Sequence, residues 1–144
     1  MYVVILGAGR VGFGLARWLL ATENEVAVID RDPSRCAELE EELGGITVLG
    51  DGTDASVLGK AGCNRADVFI GATGADEDNL LACQLARHHF NTMRTISLVS
   101  VPEHEELFSV LGIDATVNTV DVVVDRLKQA LSEASVRDWD GADE

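Results

Sequence analysis

The sequence predicts one α/β domain in which a parallel six-stranded sheet carries helices on both faces. Three observations lead there. Short β-branched runs alternate with helical patterns along the chain, the order expected of repeated β-α units. The first run, Tyr2-Val3-Val4-Ile5-Leu6, is continuously apolar, as in a strand buried on both faces. Directly after it, Gly7-Ala8-Gly9-Arg10-Val11-Gly12 leads into an amphipathic helix. Together they describe a doubly wound sheet of the Rossmann type, closed by a C-terminal helix. At 144 residues the chain has room for one such domain.

The elements follow in order. Behind the glycines, Val11, Leu15, Trp18 and Leu19 recur at helical spacing and mark an apolar stripe. Glu25-Val26-Ala27-Val28-Ile29 is the second strand. Asp32 caps the next helix and Pro33 starts it. Cys36, Leu39 and Leu43 form its stripe, and Gly44-Gly45 ends it. Ile46 to Leu49 is strand three, followed by a short helix over 54–61 and by strand four, Asp67 to Gly71. The helix from Asp76 to His89 begins with acids and ends with basic groups, as the helix dipole favours. Arg94 to Val99 is strand five, Pro102-Glu103 opens a helix ended by Gly112, and Ala115 to Asn118 is strand six. Val120, Val123, Val124, Leu127 and Leu131 make one stripe of a last helix. A cover for the sheet and a cover that also serves as a dimer contact both fit it. Residues 1–131 form the domain, and 132–144 read as an acidic, frayed tail.

The formal charge is -14. Such a surface repels nucleic-acid phosphate and anionic lipid, so neither is an expected partner. Only Lys60 and Lys128 are lysines, against 25 acids. This balance fits both a high-salt cytoplasm, where screening tolerates self-repulsion, and an ordinary acidic microbial protein. Cys36, Cys63 and Cys83 are odd in number and widely spaced, which argues for a reducing cytosol and against a disulfide framework or zinc site. Gly7 and Arg10 interrupt the first apolar run too early for a secretory leader. No stretch approaches the ~20 apolar residues of a membrane span. A cytoplasmic protein without direct membrane insertion is expected.

Strand, turn and helix give the glycines their chemistry. Gly7 permits the tight turn, Gly9 leaves room for phosphates, and Gly12 lets helix and strand pack closely. Free N–H groups and the positive end of the helix then attract the phosphates. Asp30 ends the second strand 18 residues after Gly12, near the ~20 expected for an acid that accepts hydrogen bonds from ribose hydroxyls. A turn or capping role is its alternative. A carboxylate there repels a 2′-phosphate and favours NAD or an unphosphorylated adenosine over NADP, whereas neighbouring Arg31 could accommodate that phosphate. Arg10 can supply charge-assisted bonds to phosphate, and a solvated arginine at a helix start fits it equally.

Further segments join these. They are Val28-Ile29-Asp30-Arg31-Asp32, Leu49-Gly50-Asp51-Gly52-Thr53-Asp54, Ala72-Thr73-Gly74, Asp76-Glu77-Asp78-Asn79-Leu80, Pro102-Glu103-His104 and Leu111-Gly112-Ile113-Asp114. In this order, over residues 1–131, the chain resembles the RCK N-terminal domain, also called the KTN or TrkA-N domain. The resemblance implies a regulatory domain of potassium channels or transporters that binds NAD, NADH, ATP, ADP or AMP. It also implies a homodimer or larger ring, peripheral to the inner face of the cell membrane through its membrane-embedded partner. Carried over by position, Asp30 would bind the adenosine ribose. Asp51, Gly52 and Thr53 would border the adenine, and Thr73 and Gly74 would line the pocket above strand four. Arg10 matches a position where some relatives hold the terminal phosphate of ATP. Many relatives have Ile-Ala-Arg on strand five, where this chain has Ile96-Ser97-Leu98. On physics alone, the segment from Gly50 to Asp54 also reads as an ordinary turn with Asp54 as N-cap.

A small NAD-dependent oxidoreductase fragment is the rival reading, and a dimerising module that holds nucleotide as structural glue is a third. A dehydrogenase needs an acid or base beside the nicotinamide. Tyr2, the single tyrosine, lies in the first strand, His88 and His89 end a helix, and His104 has no evident partner. Asp76, Glu77 and Asp78 suggest a metal weakly and a dipole match better. Cys63 and Cys83 fit buried small hydrophobes better than redox sensors. The expectation is a ligand sensor with no catalytic and no metal residues.

Overall fold

The computed structural model describes residues 1–142, with side chains through Ser135. The strands are β1 (Tyr2–Leu6), β2 (Glu25–Asp30), β3 (Thr47–Leu49), β4 (Val68–Gly71), β5 (Arg94–Val99) and β6 (Ala115–Asn118). All are parallel and lie in the order β3-β2-β1-β4-β5-β6. The helices are α1 (Arg10–Ala21), α2 (Pro33–Leu43), α3 (Ala55–Lys60), α4 (Asp76–His88), α5 (Glu105–Val110) and α6 (Thr119–Ala142). Short 3-10 turns at Cys63–Arg65 and Pro102–His104 complete the element list. The doubly wound six-stranded sheet is thus present as expected.

β1 is central, which explains its unbroken apolar run. Alternate side chains enter opposite layers. Val3 and Ile5 pack with Ala16, Leu19 and Leu39 from α1 and α2. Val4 and Leu6 pack with Leu58, Phe69, Ala82 and Phe108 on the other face. Each fully buried aliphatic side chain contributes about 1.5–3 kcal/mol, so this strand anchors both layers.

Four expectations need correction. The spacing behind the glycines does predict α1, but its outer members face solvent: Trp18 is 60% exposed and Val11 is exposed too. The buried face is Gly12, Ala16 and Leu19: the glycine turn seats the start of the helix so close to the strand that only the small Gly12 and Ala16 fit there, and Leu19 packs further along. The helix expected from Pro102 begins as a 3-10 turn and becomes α5 only at Glu105. Residues 132–142, expected as a frayed tail, continue α6 to Ala142, while Asp143 and Glu144 lie outside the described residues. The apolar stripe of α6 does not cover the sheet. Val120, Val123, Val124, Leu127 and Leu131 are all exposed, Leu131 at 68%. No helix among the described residues is long and apolar enough to cross a membrane.

Candidate functional site

β1 lies between β2 and β4, so the winding of the chain reverses there. At such a switch point the flanking loops diverge and leave a crevice outside the carboxyl ends of the strands. The loop after β1 carries the glycine turn. Gly7 has φ +114°, a left-handed value, and a Cβ there would stand 2.8 Å from the carbonyl oxygen of Ala72. A Cβ at Gly12 would overlap the carbonyl oxygen of Gly7. Gly9 is different. Its φ is -76°, and a Cβ would meet nothing within 4 Å. No neighbour in the chain requires its missing side chain, which leaves open space over the start of α1.

That helix start is bare. Gly9 is the N-cap of α1, no side chain caps it, and its first turn has no acid. By contrast, Asp32 accepts from Ser34 N–H (2.9 Å) at the start of α2, and Asp54 accepts from Ser56 N–H (2.9 Å) at α3. The α1 terminus therefore keeps its N–H groups and partial positive charge for an outside anion. Arg10, exposed, stands at the same end, and no carboxylate pairs with it among the described residues.

Asp30 faces the turn from the end of β2 and is buried. One carboxylate oxygen accepts from Ala8 N–H (2.8 Å), and the other accepts from Asp32 N–H (2.8 Å). The sequence offered a ribose contact or a turn role; the structure shows that this side chain fixes the glycine turn to β2. Each carboxylate oxygen keeps a further acceptor site, so the two roles are compatible.

Two adjoining clefts share Asp30, Arg35, Thr73 and Gly74. One is bordered by Leu6, Arg31, Asp51, Gly52 and Thr53; the other by Gly7, Gly9, Arg10, Val11 and Leu98. The sequence-expected residues therefore meet along one crevice, apart from two. Ala8 and Gly12 line neither cleft: Ala8 offers its N–H to Asp30, and Gly12 lies beneath the turn. Gly52 is buried against Leu6, where a side chain would collide. Asp51 accepts from the N–H (2.9 Å) and hydroxyl (2.7 Å) of Thr53, and these bonds hold its carboxyl below the ordinary range. Turn and pocket wall are thus one structure, with Asp54 capping α3. Across the mouth, Arg31 reaches Asp78 at 3.5 Å. Open glycine, bare helix end, arginines and a fixed acid together fit an adenosine ribose followed by phosphates.

Sequence reasoning missed three contributors. Asn79 is fully buried: its Oδ1 accepts from Thr73 N–H (3.1 Å) and hydroxyl (2.7 Å), while its amide donates to the Thr73 carbonyl (3.0 Å). It thereby shapes the loop that carries Gly74, and only the packing of α4 on β4 reveals it. Arg35 lines both clefts. A signal existed for it, since an arginine in the first turn of a helix opposes the dipole and calls for a local reason.

Asp76 is the third. Its carboxylate, 4% exposed, accepts from Ser100 N–H (2.9 Å) and hydroxyl (2.9 Å) and from Val101 N–H (3.0 Å). It also meets His104 Nδ1 at 2.9 Å. This corrects two expectations: His104 has a partner, and Asp76 does more than match the helix dipole. Burial alone would raise this carboxyl, but the bonds from Ser100, His104 and Val101 outweigh it and hold it below its ordinary value. Its stabilising contribution is then fully present above the unfolded value of about 3.9 and is lost as pH falls through the lower folded value. Asp76→Asn is expected to lower stability at pH 7 by about 1–3 kcal/mol and to flatten the acid limb of urea unfolding measured from pH 7 to 2. Superimposable limbs would overturn the clamp. Among the described residues no acid, histidine or cysteine cluster is arranged to hold a metal. Burial pushes the thiols of Cys63 and Cys83 up to about 12, leaving them protonated and unreactive at neutral pH.

Residues 3–119 match the family model of the TrkA-N domain. The chain belongs to the TrkA-N domain family. This TrkA-N domain is 39% identical over 138 residues to the Trk system potassium uptake protein TrkA homolog of Methanothermobacter thermautotrophicus. The match covers 96% of this chain but 63% of that protein, so the chain spans less than two thirds of this relative's length. Among solved structures, it is similar to the GsuK channel bound to NAD (TM-score 0.71, 29% identity, 81% of this chain and 21% of that one). It is also similar to GsuK bound to ADP (TM-score 0.80, 26% identity, 92% of this chain and 34% of that one).

Proposed function

We propose that this TrkA-N domain is a cytosolic nucleotide sensor that binds NAD(H) or an adenine nucleotide and controls a potassium channel or transporter. The observation that carries it is the pairing of a bare α1 terminus behind open Gly9 with the buried carboxylate of Asp30. The first receives phosphates and the second receives ribose. NAD or NADH is the leading ligand, with ATP, ADP or AMP as the alternative. The relative's name, a potassium uptake protein, and the NAD and ADP held by GsuK support this reading. The domain performs no chemistry of its own. Ligand shifts it between shapes for which its affinity differs, and the partner in the membrane feels that shift.

Titration calorimetry with NAD, NADH, NADPH, ATP, ADP and AMP tests the proposal. NAD(H) or an adenine nucleotide binds, and NADPH binds more weakly than NADH. Binding of none overturns the sensor. Arg10→Ala is expected to weaken ATP more than AMP, and equal losses would remove its phosphate role.

The proposed assembly is a homodimer or larger ring. Its support is the α6 stripe from Val120 to Leu131, which lies exposed instead of on the sheet and would be costly to leave in water. Light scattering of the chain is expected to give at least a dimer, and Leu127→Asp a monomer. A strict monomer for the unmodified chain at high concentration and high salt would contradict it.

A further inference from the structure

We infer that Arg35 is a second phosphate-recognising cation, lining the same cleft as Arg10, which makes the site favour ligands carrying a diphosphate over adenosine. This rests on the nucleotide-sensor reading and adds to it a residue and a specificity.

Four observations carry it. First, the charged side chains lining the phosphate half of the crevice are Arg10, Arg35 and Asp30, and the Leu98 side chain there carries no charge. Arg10 and Arg35 also line a second recess beside Gly9, together with Arg17 and Glu38. The two arginines therefore line the same open space over Gly9.

Second, Arg35 is held by two long ion pairs and by no hydrogen bond among the described residues. It is 3.9 Å from Asp30 Oδ2 and 3.9 Å from Asp32 Oδ2, with its side chain 57% exposed. Both separations exceed hydrogen-bonding range. The guanidinium is held near these acids by charge, with its fork of donors available to a phosphate.

Third, the site needs a cation there. Asp30 is fixed by Ala8 N–H within the phosphate turn itself. A diphosphate over Gly9 would lie beside this carboxylate, on a protein of formal charge -14. Without a neighbouring cation, ribose recognition and phosphate binding would oppose one another. Arg35, closest to Asp30 and open to both clefts, removes that conflict.

Fourth, its place in α2 opposes the helix dipole, offset within the helix by the Asp32 carboxylate at 3.9 Å. Pro33 is the first residue of α2, so Arg35 sits in the first turn, at the positive end. An anion arriving at the crevice relieves that opposition.

Calorimetry of the 144-residue chain with adenosine, AMP, ADP and NAD tests the assignment. Arg35→Ala is expected to weaken ADP and NAD by roughly tenfold or more, with adenosine changed by less than about threefold. Arg35→Lys keeps the charge without the fork and should fall between. Added NaCl should weaken ADP less in the alanine variant than in the unmodified chain. Thermal unfolding within a few degrees of the unmodified chain confirms that both variants are folded. If adenosine falls as far as ADP, Arg35 acts on the ribose acid and the inference is overturned. Unchanged ADP affinity in both variants overturns it too, while leaving the sensor intact. If the unmodified chain binds no nucleotide, the sensor and this inference fall together.

Discussion

Gly12→Ala is expected to destabilise the protein by about 4 kcal/mol or more and to abolish nucleotide binding. The new Cβ would overlap the carbonyl oxygen of Gly7 and stand 2.9 Å from its carbonyl carbon. Both are backbone atoms, so no side-chain rotation relieves the contact. Nor can the turn retreat, because Gly7 N–H donates to the Ile29 carbonyl (2.8 Å) and Ala8 N–H to Asp30. Relief requires α1 to lift from the sheet, taking buried Ala16 and Leu19 with it. Urea unfolding measures the loss, and an unchanged midpoint would show that the helix moves freely. Gly9→Ala is the control. With open space around it and φ -76°, it should cost about 1 kcal/mol or less as a cap change. It should nevertheless weaken nucleotide binding by an order of magnitude, since its methyl occupies the phosphate seat. Full affinity in this variant would remove the phosphates from residues 7–12.

Asp30→Ala is expected to cost about 2–4 kcal/mol, although the residue lies at the end of an edge-proximal strand. The loss leaves Ala8 N–H and Asp32 N–H without their acceptors, and Ala8 is buried. Asp30→Asn should cost less in stability, because its carbonyl oxygen still serves one N–H while its amide faces the other. Loss of nucleotide binding alone would not assign the ribose contact, since the acid also holds the turn. The ratio of affinities does. If Asp30 receives the ribose hydroxyls, both variants should raise NADPH affinity relative to NADH by several-fold, through lost repulsion of the 2′-phosphate. An unchanged ratio would confine Asp30 to its structural role.

The alternation of β-branched runs and helical patterns was enough to locate all six strands along the chain and to place the glycine turn between β1 and α1. Backbone sterics and burial on two faces act over a few residues, so they are written locally. Gly7 and Gly12 belong to the same class, because the chain cannot make that turn with side chains there. Periodicity, however, reports a helix and not its inward face. Trp18 fitted the α1 stripe and points outward, while Gly12 and Ala16 pack inward. The α6 stripe was equally legible, yet only the structure showed it uncovered. What the tertiary structure alone decided are the meetings of distant residues. Asp76 gathers Ser100, Val101 and His104 from across the β5–α5 loop. Asn79 joins Thr73 to the Leu98 carbonyl of β5, and Arg35 lines the crevice with Asp30 and Gly74. The strand order sets these contacts by laying the ends of β1, β2, β4 and β5 side by side. A linear sequence carries each partner but not the register that joins them.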